Sequence, residues 1–334
     1  MNNKILLAHG AGGKLSHNLI TQCFMKYFPS SILSKLDDSA VFQLNGKVAF
    51  TTDSYVVNPI FFPGGNIGKL AVCGTVNDLA TSGAQPLYLS VSLIIEEGLA
   101  EDDLQEIVKS IQETAKEAEV EIVTGDTKVV NHGSADKLFV NTAGIGIISP
   151  GVNISGSYAC PGDKIIISGT IGDHGIAIMS KREELNFSTK LISDCAPLGN
   201  LVQAILKVCP DVHVLRDPTR GGLATTLNEL AKQSNVSINI EEQYIPIRGE
   251  VQGACELLGL DPLYIANEGK MIVIVPPACA EKVLAALQAH RYGKDAVVIG
   301  EVNSGHSGKV FMKTILGTSR IIDMLVGDPL PRIC

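Results

Sequence analysis

The chain has 334 residues, past the length at which one hydrophobic core keeps growing, so two domains are expected. Apolar residues make up 45%, which excludes a disordered chain. With 27 Lys plus Arg against 35 Asp plus Glu, the formal net charge is −8, which leaves no broad basic surface for nucleic acid.

The opening segment, Met1 to His9, holds too short an apolar run for a signal peptide. No stretch reaches the length of a membrane span, so a cytoplasmic protein without membrane contact is expected. Of eight cysteines, the closest two, Cys195 and Cys209, lie fourteen positions apart, so there is no CxxC pair for a zinc ribbon, thioredoxin motif or ferredoxin-type cluster. Most sit in apolar runs and read as small buried hydrophobes; Cys334 does not.

Ile5 to Ala8 reads as a short strand, broken by Gly10-Ala11-Gly12-Gly13. Leu15, Leu19, Ile20, Cys23, Phe24 and Tyr27 follow at helical spacing. Ala40 to Leu44 and Lys47 to Thr52 flank Asn45-Gly46, the strongest short hairpin signal. Asn66 to Ser82 predicts a helix with small residues on one face. Leu87 to Ile95 alternates as a strand, Glu101 to Ala118 is an amphipathic helix, and Glu121 to Thr124 and Leu138 to Ile148 are strands. Gly, Pro and Ser cluster from Ser149 to Ser157, a plausible domain boundary. Beyond it, Lys164 to Ser168 is a strand followed by the loop Gly169 to Gly175. Helices are expected near 198–208, 222–234 and 279–290, and strands near 236–240, 271–275 and 296–301. The end, Gly327 to Cys334, carries two prolines that bar a regular helix or central strand.

A two-residue turn at Asn45-Gly46 would set Asp38 opposite Asp53, with Asp37 adjacent. Like charges directly opposite repel, and a cation is the simplest compensation. Oxygen ligands of this kind suit Mg²⁺ with substrate phosphates. Asp78, after Asn77, and Asp126, in Thr124-Gly125-Asp126-Thr127, are further acids that could join. Taken singly, each reads first as a turn or cap residue; the facing pair tips the balance toward a metal. There is no Walker A sequence and no GxGxxG. Gly10 to Gly13 and Asp217-Pro218-Thr219-Arg220-Gly221-Gly222 resemble helix starts that can present N–H groups to an anion. Lys128 and Glu268 are either surface charges or site residues, and His132 and His174, in Gly-containing loops, read as structural or solvated.

Together these segments resemble the HypE-type hydrogenase maturation factors, carbamoyl dehydratases of the PurM-like superfamily. The motifs that carry it are Leu7-Ala8-His9-Gly10, Thr52-Asp53-Ser54-Tyr55-Val56, Phe61 to Leu70, Asn77-Asp78, Val123 to Val130, Gly172-Asp173-His174-Gly175, Arg216 to Gly222, Ala266-Asn267-Glu268-Gly269-Lys270 and the specific ending Pro331-Arg332-Ile333-Cys334. The resemblance spans the chain. It implies an α/β, PurM-like two-domain fold. Residues 1–150 would form an ATP-binding and dimerisation domain whose mixed sheet pairs into a β-barrel across a homodimer. Residues 151–326 would form an α/β sandwich, and 327–334 a mobile tail carrying Cys334.

The implied activity is ATP-dependent dehydration of an S-carboxamide on Cys334 to a thiocyanate, for the cyanide ligands of the [NiFe]-hydrogenase iron. The carbamoyl group would come from a carbamoyltransferase, HypF, and the cyano group would pass to a HypC–HypD scaffold. The implied cofactors are ATP and Mg²⁺. The resemblance puts catalysis on Cys334, Lys128 and Glu268, nucleotide binding on Asp37, Gly125, Thr127, Asn141 and Arg220, and metal binding on Asp38, Asp53, Asp78 and Asp126.

Two other readings stay open. One is a different PurM-like synthetase or kinase, acting on selenophosphate, aminoimidazole ribonucleotide or thiamine phosphate. The other is a non-catalytic thiol carrier, which would need no acids for Mg–ATP. Fully extended, the eight residues from Gly327 to Cys334 reach roughly 25–29 Å, enough to carry a thiol between two stations.

Overall fold

The computed structural model describes residues 4–10, 14–35, 39–182 and 191–325. Asp37, Asp38, Gly12, Gly13 and Cys334 with the rest of the 327–334 tail lie outside the described residues.

The expected strand at Ile5 to Ala8 does not form. Ile5 is fully buried and makes one rung, donating to Leu99 O and accepting from Gly98 N, both at 2.8 Å. Leu7–Gly10 then coils into a 3-10 turn. The helical spacing after it is realised as α1 (Lys14–Leu19), a wider π-turn at Ile20–Phe24 and α2 (Met25–Tyr27).

The expected hairpin is also absent. Residues 39–45 carry no strand, and Val41 is 77% exposed. β1 (Lys47–Tyr55) pairs antiparallel along its whole length with a strand far away in sequence, where Asp53 faces Thr142; Asp38, its expected partner, lies outside the described residues. The distant strand takes one edge of β1, and among the described residues no strand lies on the other edge; an Asn-Gly turn is a local preference that does not by itself extend residues 39–45.

The short ladder β2 (Phe61–Phe62) with β3 (Gly65–Asn66) leads into α3 (Ile67–Thr81). β4 (Ala84–Glu96), α4 (Glu101–Glu117), β5 (Glu121–Val130) and β6 (Leu138–Ile148) complete this half. Its sheet runs in the order β1-β6-β4-β5, parallel only between β4 and β5. Strict alternation in β6 sends Val140 and Thr142 to the helices, while Asn141 and Ile145 face outward. β5 is longer than the expected Glu121 to Thr124, and its extra residues include Asp126 and Lys128.

α3 is capped by Asn66, whose side chain accepts from Gly68 N and Lys69 N at 2.9 and 3.1 Å. The helix is buried almost all round, as a helix apolar on every face must be. One side lies on the first sheet, where Thr142 Oγ1 donates to Ala71 O. The other side meets the second half of the chain.

That half contains β7 (Lys164–Ile167), α5 (Asp173–Arg182), α6 (Gly199–Val208), β8 (Val214–Arg216), α7 (Gly222–Gln233) and β9 (Ser237–Glu241). It continues with α8 (Gly249–Leu258), β10 (Ile272–Val275), α9 (Pro277–Ala289), β11 (Val297–Asn303), β12 (Lys309–Lys313) and β13 (Ser319–Ile322). The sheet order is β13-β12-β9-β11-β7-β10-β8. Its central strands are buried on both faces: Ile166 and Val273 pack toward α6 and α9, while Ile165, Ile167 and Ile272 pack toward α7. The second half is therefore an α/β sandwich, and the two halves make the expected two-domain α/β fold. Away from α3, Glu117 of α4 ties them again, accepting from Arg291 Nη2 at 2.5 Å and from the Tyr292 hydroxyl. Among the described residues no helix is long and apolar enough to cross a membrane.

Candidate active site

Pleating in β1 turns Thr51 and Asp53 toward α3. Thr51 Oγ1 donates to Asp78 Oδ2 at 3.1 Å, near the end of that helix. Asp217 joins from the end of β8, beside Arg216. Burial lifts the Asp78 carboxyl above its usual range and Asp53 adds to this, against the Thr51 hydrogen bond and Arg216. Asp217 is pushed up to about 6, by burial first and then by Asp78. Asp78 and Asp217 thus carry raised proton affinities, to which the Asp53 charge contributes, beside a polar cavity of about 560 Å³ lined by Asp78, Arg216, Asp217, Thr219 and Arg220. Crowded oxygen donors of this kind fit a Mg²⁺ ion, which would relieve the repulsion. Arg216 is paired with Glu229 at 3.2 Å.

Glu268 lies on the same seam and is 4% exposed. Its carboxyl is held well above the usual carboxylate range, mainly by burial, then by Cys195, Asp217, Asp194 and Asp53. Among the described residues no hydrogen bond reaches that carboxyl, while its backbone is fastened on every side. Asn77 Nδ2 donates to Glu268 O at 3.2 Å and to Ala196 O at 3.1 Å, and Asn77 Oδ1 accepts from Leu198 N at 2.7 Å. Asp194 accepts from Glu268 N at 3.1 Å and from Gly269 N at 3.3 Å, and pairs with Lys270 at 3.4 Å. Position 269 must be glycine, because a Cβ there would stand 1.9 Å from Asp194 O.

Buried Asn267 completes the frame. Its amide donates to Pro218 O at 2.8 Å and its oxygen accepts from Gly172 N at 2.7 Å. The Gly172, Asp217-Pro218 and Asn267-Glu268 loops, far apart in sequence, therefore meet around the Asn267 side chain, next to Glu268. His174, also buried, contacts Ser193 Oγ through Nδ1 at 2.8 Å and packs edge-on to Phe62, a structural role. His132 is solvated and lies 3.2 Å from Glu96.

The remaining expected residues gather elsewhere. Asp126 accepts from Lys128 Nζ at 2.9 Å and from Thr127 N at 2.8 Å; the Lys128 bond is the largest cause holding its carboxyl below the usual range. Ser54, Asn141, Ser92 and Asp126 stand in register across the four strands, on the outward face. Asn141 Nδ2 is engaged there with Asp53 O at 2.8 Å and Ser54 Oγ at 3.0 Å. Asp53, one residue out of step, faces the other way. β1 and β5 are opposite edges of the sheet, about 14 Å apart at three strand spacings. Within one protomer Asp126 and Lys128 therefore do not meet Asp53, Asp78, Asp217 and Glu268. A second cavity of about 450 Å³ lies beside Gly10, Gly125, Thr127 and Lys128, with Leu19, Phe24 and Leu93 as apolar wall.

Sequence reasoning singled out neither Asp217 nor Asp194 as an acid of the site. Asp217 had a usable signal, an acid at a strand end just before Pro-Thr. Asp194 sits in a loop with no motif to mark it.

Two sequence profiles match the chain: that of the AIR synthase related protein N-terminal domain at residues 36–148, and that of its C-terminal domain at 160–313. A protein named carbamoyl dehydratase HypE from Bradyrhizobium diazoefficiens is 51% identical over 335 residues, covering 100% of this chain and 97% of its own. The Escherichia coli K12 protein of the same name is 47% identical, covering 99% of this chain and 100% of its own. Among solved structures, hydrogenase maturation protein HypE in complex with ATP superposes with TM-score 0.96 at 51% identity, over 98% of this chain and 99% of the other. A HypE–HypF complex matches with TM-score 0.82 at 52% identity, over 92% and 99%. Thiamine monophosphate kinase from Aquifex aeolicus, at 19% identity and TM-score 0.62 over 92% and 99%, shares the fold alone.

Proposed function

Because this chain belongs to the HypE family of carbamoyl dehydratases, within the AIR synthase related proteins, we propose that it dehydrates an S-carboxamide on Cys334 to a thiocyanate, using ATP. The cyano group is destined for the iron of a [NiFe]-hydrogenase. The carbamoyl donor is a HypF-type carbamoyltransferase and the acceptor a HypC–HypD scaffold. Residues 1–150 bind ATP and dimerise, 151–326 form the second domain, and 327–334 carry the thiol to the site.

The observation that carries this reading is Glu268: a buried carboxyl, fixed through its backbone, beside three acids suited to a cation. Dehydration requires the amide oxygen to become a leaving group. Transfer of the γ-phosphoryl group of ATP to that oxygen forms an O–P bond, releases ADP and gives up one of the two N–H protons to solvent, leaving an O-phosphorylated imidate with a single N–H. Glu268 then takes the N–H proton while the C–O bond breaks and phosphate departs, leaving S–C≡N. A base with a raised proton affinity suits that role near neutral pH. Asp53, Asp78 and Asp217 would hold Mg²⁺, which neutralises phosphate charge when bound. Arg220 lies at the mouth of the same cavity, placed for a phosphate. The family resemblance adds Asp38 to this set and gives Asp37 to the nucleotide.

Asp126, Lys128, Gly125, Thr127 and Asn141 enter from a second copy. The outward sheet face supports a homodimer, since Phe50 is 68% and Val48 44% exposed there, beside Ile145 and Tyr88 in register. Joining two such faces brings the Lys128 edge of one protomer to the Glu268 seam of the other, where Lys128 orients the carboxamide or stabilises its negative charge.

The test is mass spectrometry of the peptide containing Cys334 after S-carbamoylation of the full-length protein and addition of Mg–ATP. Loss of one water's mass from the modified peptide is expected. An unchanged carboxamide in folded, ATP-binding protein overturns the reading.

A further inference from the structure

Away from the seam, three side chains of different ligand chemistry converge at one end of the second sheet. Cys160, Asp163 and His213 place a thiol sulfur, a carboxylate oxygen and an imidazole nitrogen within 4.8 Å of one another. Asp163 and His213 stand just before β7 and β8, the strands on either side of β10, so the sheet itself sets their spacing. None of the three takes part in the chemistry at Glu268.

The frame is rigid. The turn from 160 to 163 closes with Asp163 N donating to Cys160 O at 3.0 Å. It is pinned to β11 by Gly162 N to Val302 O at 2.8 Å and Val302 N to Asp163 O at 2.9 Å. His213 is held by its own N–H to Ile274 O at 3.1 Å, and its carbonyl accepts from Ser155 N at 3.2 Å. The Asp163 side chain is 4% exposed, and its Oδ2 accepts from Cys160 N at 2.8 Å and contacts His213 Nδ1 at 2.7 Å. Cys160 is the exposed member, and the other described cysteines are buried. The cluster is thus anchored by a buried carboxylate and open to solvent on its sulfur side.

We propose that Cys160, Asp163 and His213 form a binding site for a divalent late transition-metal ion of the Zn²⁺ type, distinct from the Mg²⁺-type acids at the seam. Sulfur and imidazole donors select such an ion over Mg²⁺, which prefers oxygen throughout. Metal–ligand bonds of about 2.0–2.3 Å put neighbouring donor atoms at tetrahedral zinc roughly 3.3–3.7 Å apart, within what this frame reaches by small side-chain shifts. Loading breaks the Cys160 S–H bond, releases that proton to solvent and forms a metal–sulfur bond. His213 contributes a ring-nitrogen lone pair as neutral imidazole and Asp163 an ionised oxygen. One thiolate and one carboxylate balance the two positive charges, and a water completes the fourth position from the open side.

The test uses metal-free, full-length protein carrying Cys334→Ala, so that the tail thiol contributes nothing, titrated with Co²⁺ alone. A thiolate-to-cobalt charge-transfer band that saturates at one Co²⁺ per chain and is displaced by Zn²⁺ is expected. Cys160→Ser, an exposed near-isosteric change, is expected to abolish the band, and His213→Gln to weaken binding at least tenfold. Zn²⁺ is expected to raise the melting temperature of the parent and not of Cys160→Ser. A band that persists in Cys160→Ser, or no band in protein whose circular dichroism is native, overturns the proposal.

Discussion

Asn77 and Glu268 are joined across the domain seam, the Asn77 side-chain amide donating to the Glu268 carbonyl over 3.2 Å. The same side chain also fixes Ala196 and Leu198. A single residue of a buried helix thereby sets the position of the carboxylate that we assign as base. Asn77→Ala leaves two carbonyls and one N–H without their partner. A loss of about 3 kcal/mol is expected, since each orphaned buried group costs about 1–3 kcal/mol and such costs are not additive. Chemical denaturation measures it, and dehydration slows even where the variant remains folded. An unchanged unfolding midpoint removes the positioning role.

Glu268→Gln separates stability from activity. Removing a carboxyl held in a buried site relieves a desolvation cost, so the variant is expected to melt higher than the parent at neutral pH. The rate of carboxamide loss is expected to fall about 10²- to 10⁴-fold, the usual contribution of a positioned base. ATP binding is retained, which titration calorimetry verifies. A variant as active as the parent excludes Glu268 as the base.

The acids at the seam predict a pH slope. Asp217 has an ordinary value of 3.8 and is pushed up to about 6 in the fold, so the folded state holds its proton more tightly than the unfolded chain. Its favourable contribution is complete below about 4 and is lost as pH rises through about 6. In magnesium-free protein, Asp217→Asn is therefore expected to remove part of the fall in melting temperature between about pH 4 and 6. Mg²⁺ is expected to stabilise the parent more at pH 7 than at pH 5, where Asp217 is protonated. Parallel melting curves for parent and variant across that window contradict this account.

Subunit mixing tests whether the two residue groups work across a dimer. Lys128→Ala and Glu268→Gln are each expected to be inactive alone. If the groups meet in trans, each mixed dimer holds one intact site, and an equilibrated equal mixture recovers about a quarter of parental activity. No recovery, in mixtures shown to exchange subunits, places both groups within one protomer.

Much of the architecture was legible because its signals are local. The helical span from Asn66 to Ser82 and the alternation from Leu87 to Ile95 each report a periodicity that packing then satisfies. The failures share a cause. Asn45-Gly46 is a good turn, yet residues 39–45 form no strand, and β1 is paired instead with β6, some ninety residues away. Ile5 to Ala8 looks like a strand, but its neighbour is the loop at Gly98 and Leu99. At the site, Asp53, Asp78 and Glu268 stood out as acids in motifs. That Asp217 joins them, and that Lys128 belongs to another face, follows from sheet order, which no local pattern encodes. Asp194 was invisible for the same reason, being important only through what folds onto it.

The burial of α3 between both halves also bears on how the chain is born. A ribosome releases residues 67–81 well before α6 and β8, which cover the helix's second side. Until roughly residue 216 has emerged, the nascent first half shows an apolar surface that water should not see. Its four-stranded sheet is thus no self-sufficient folding unit, and the two domains share one cooperative fate.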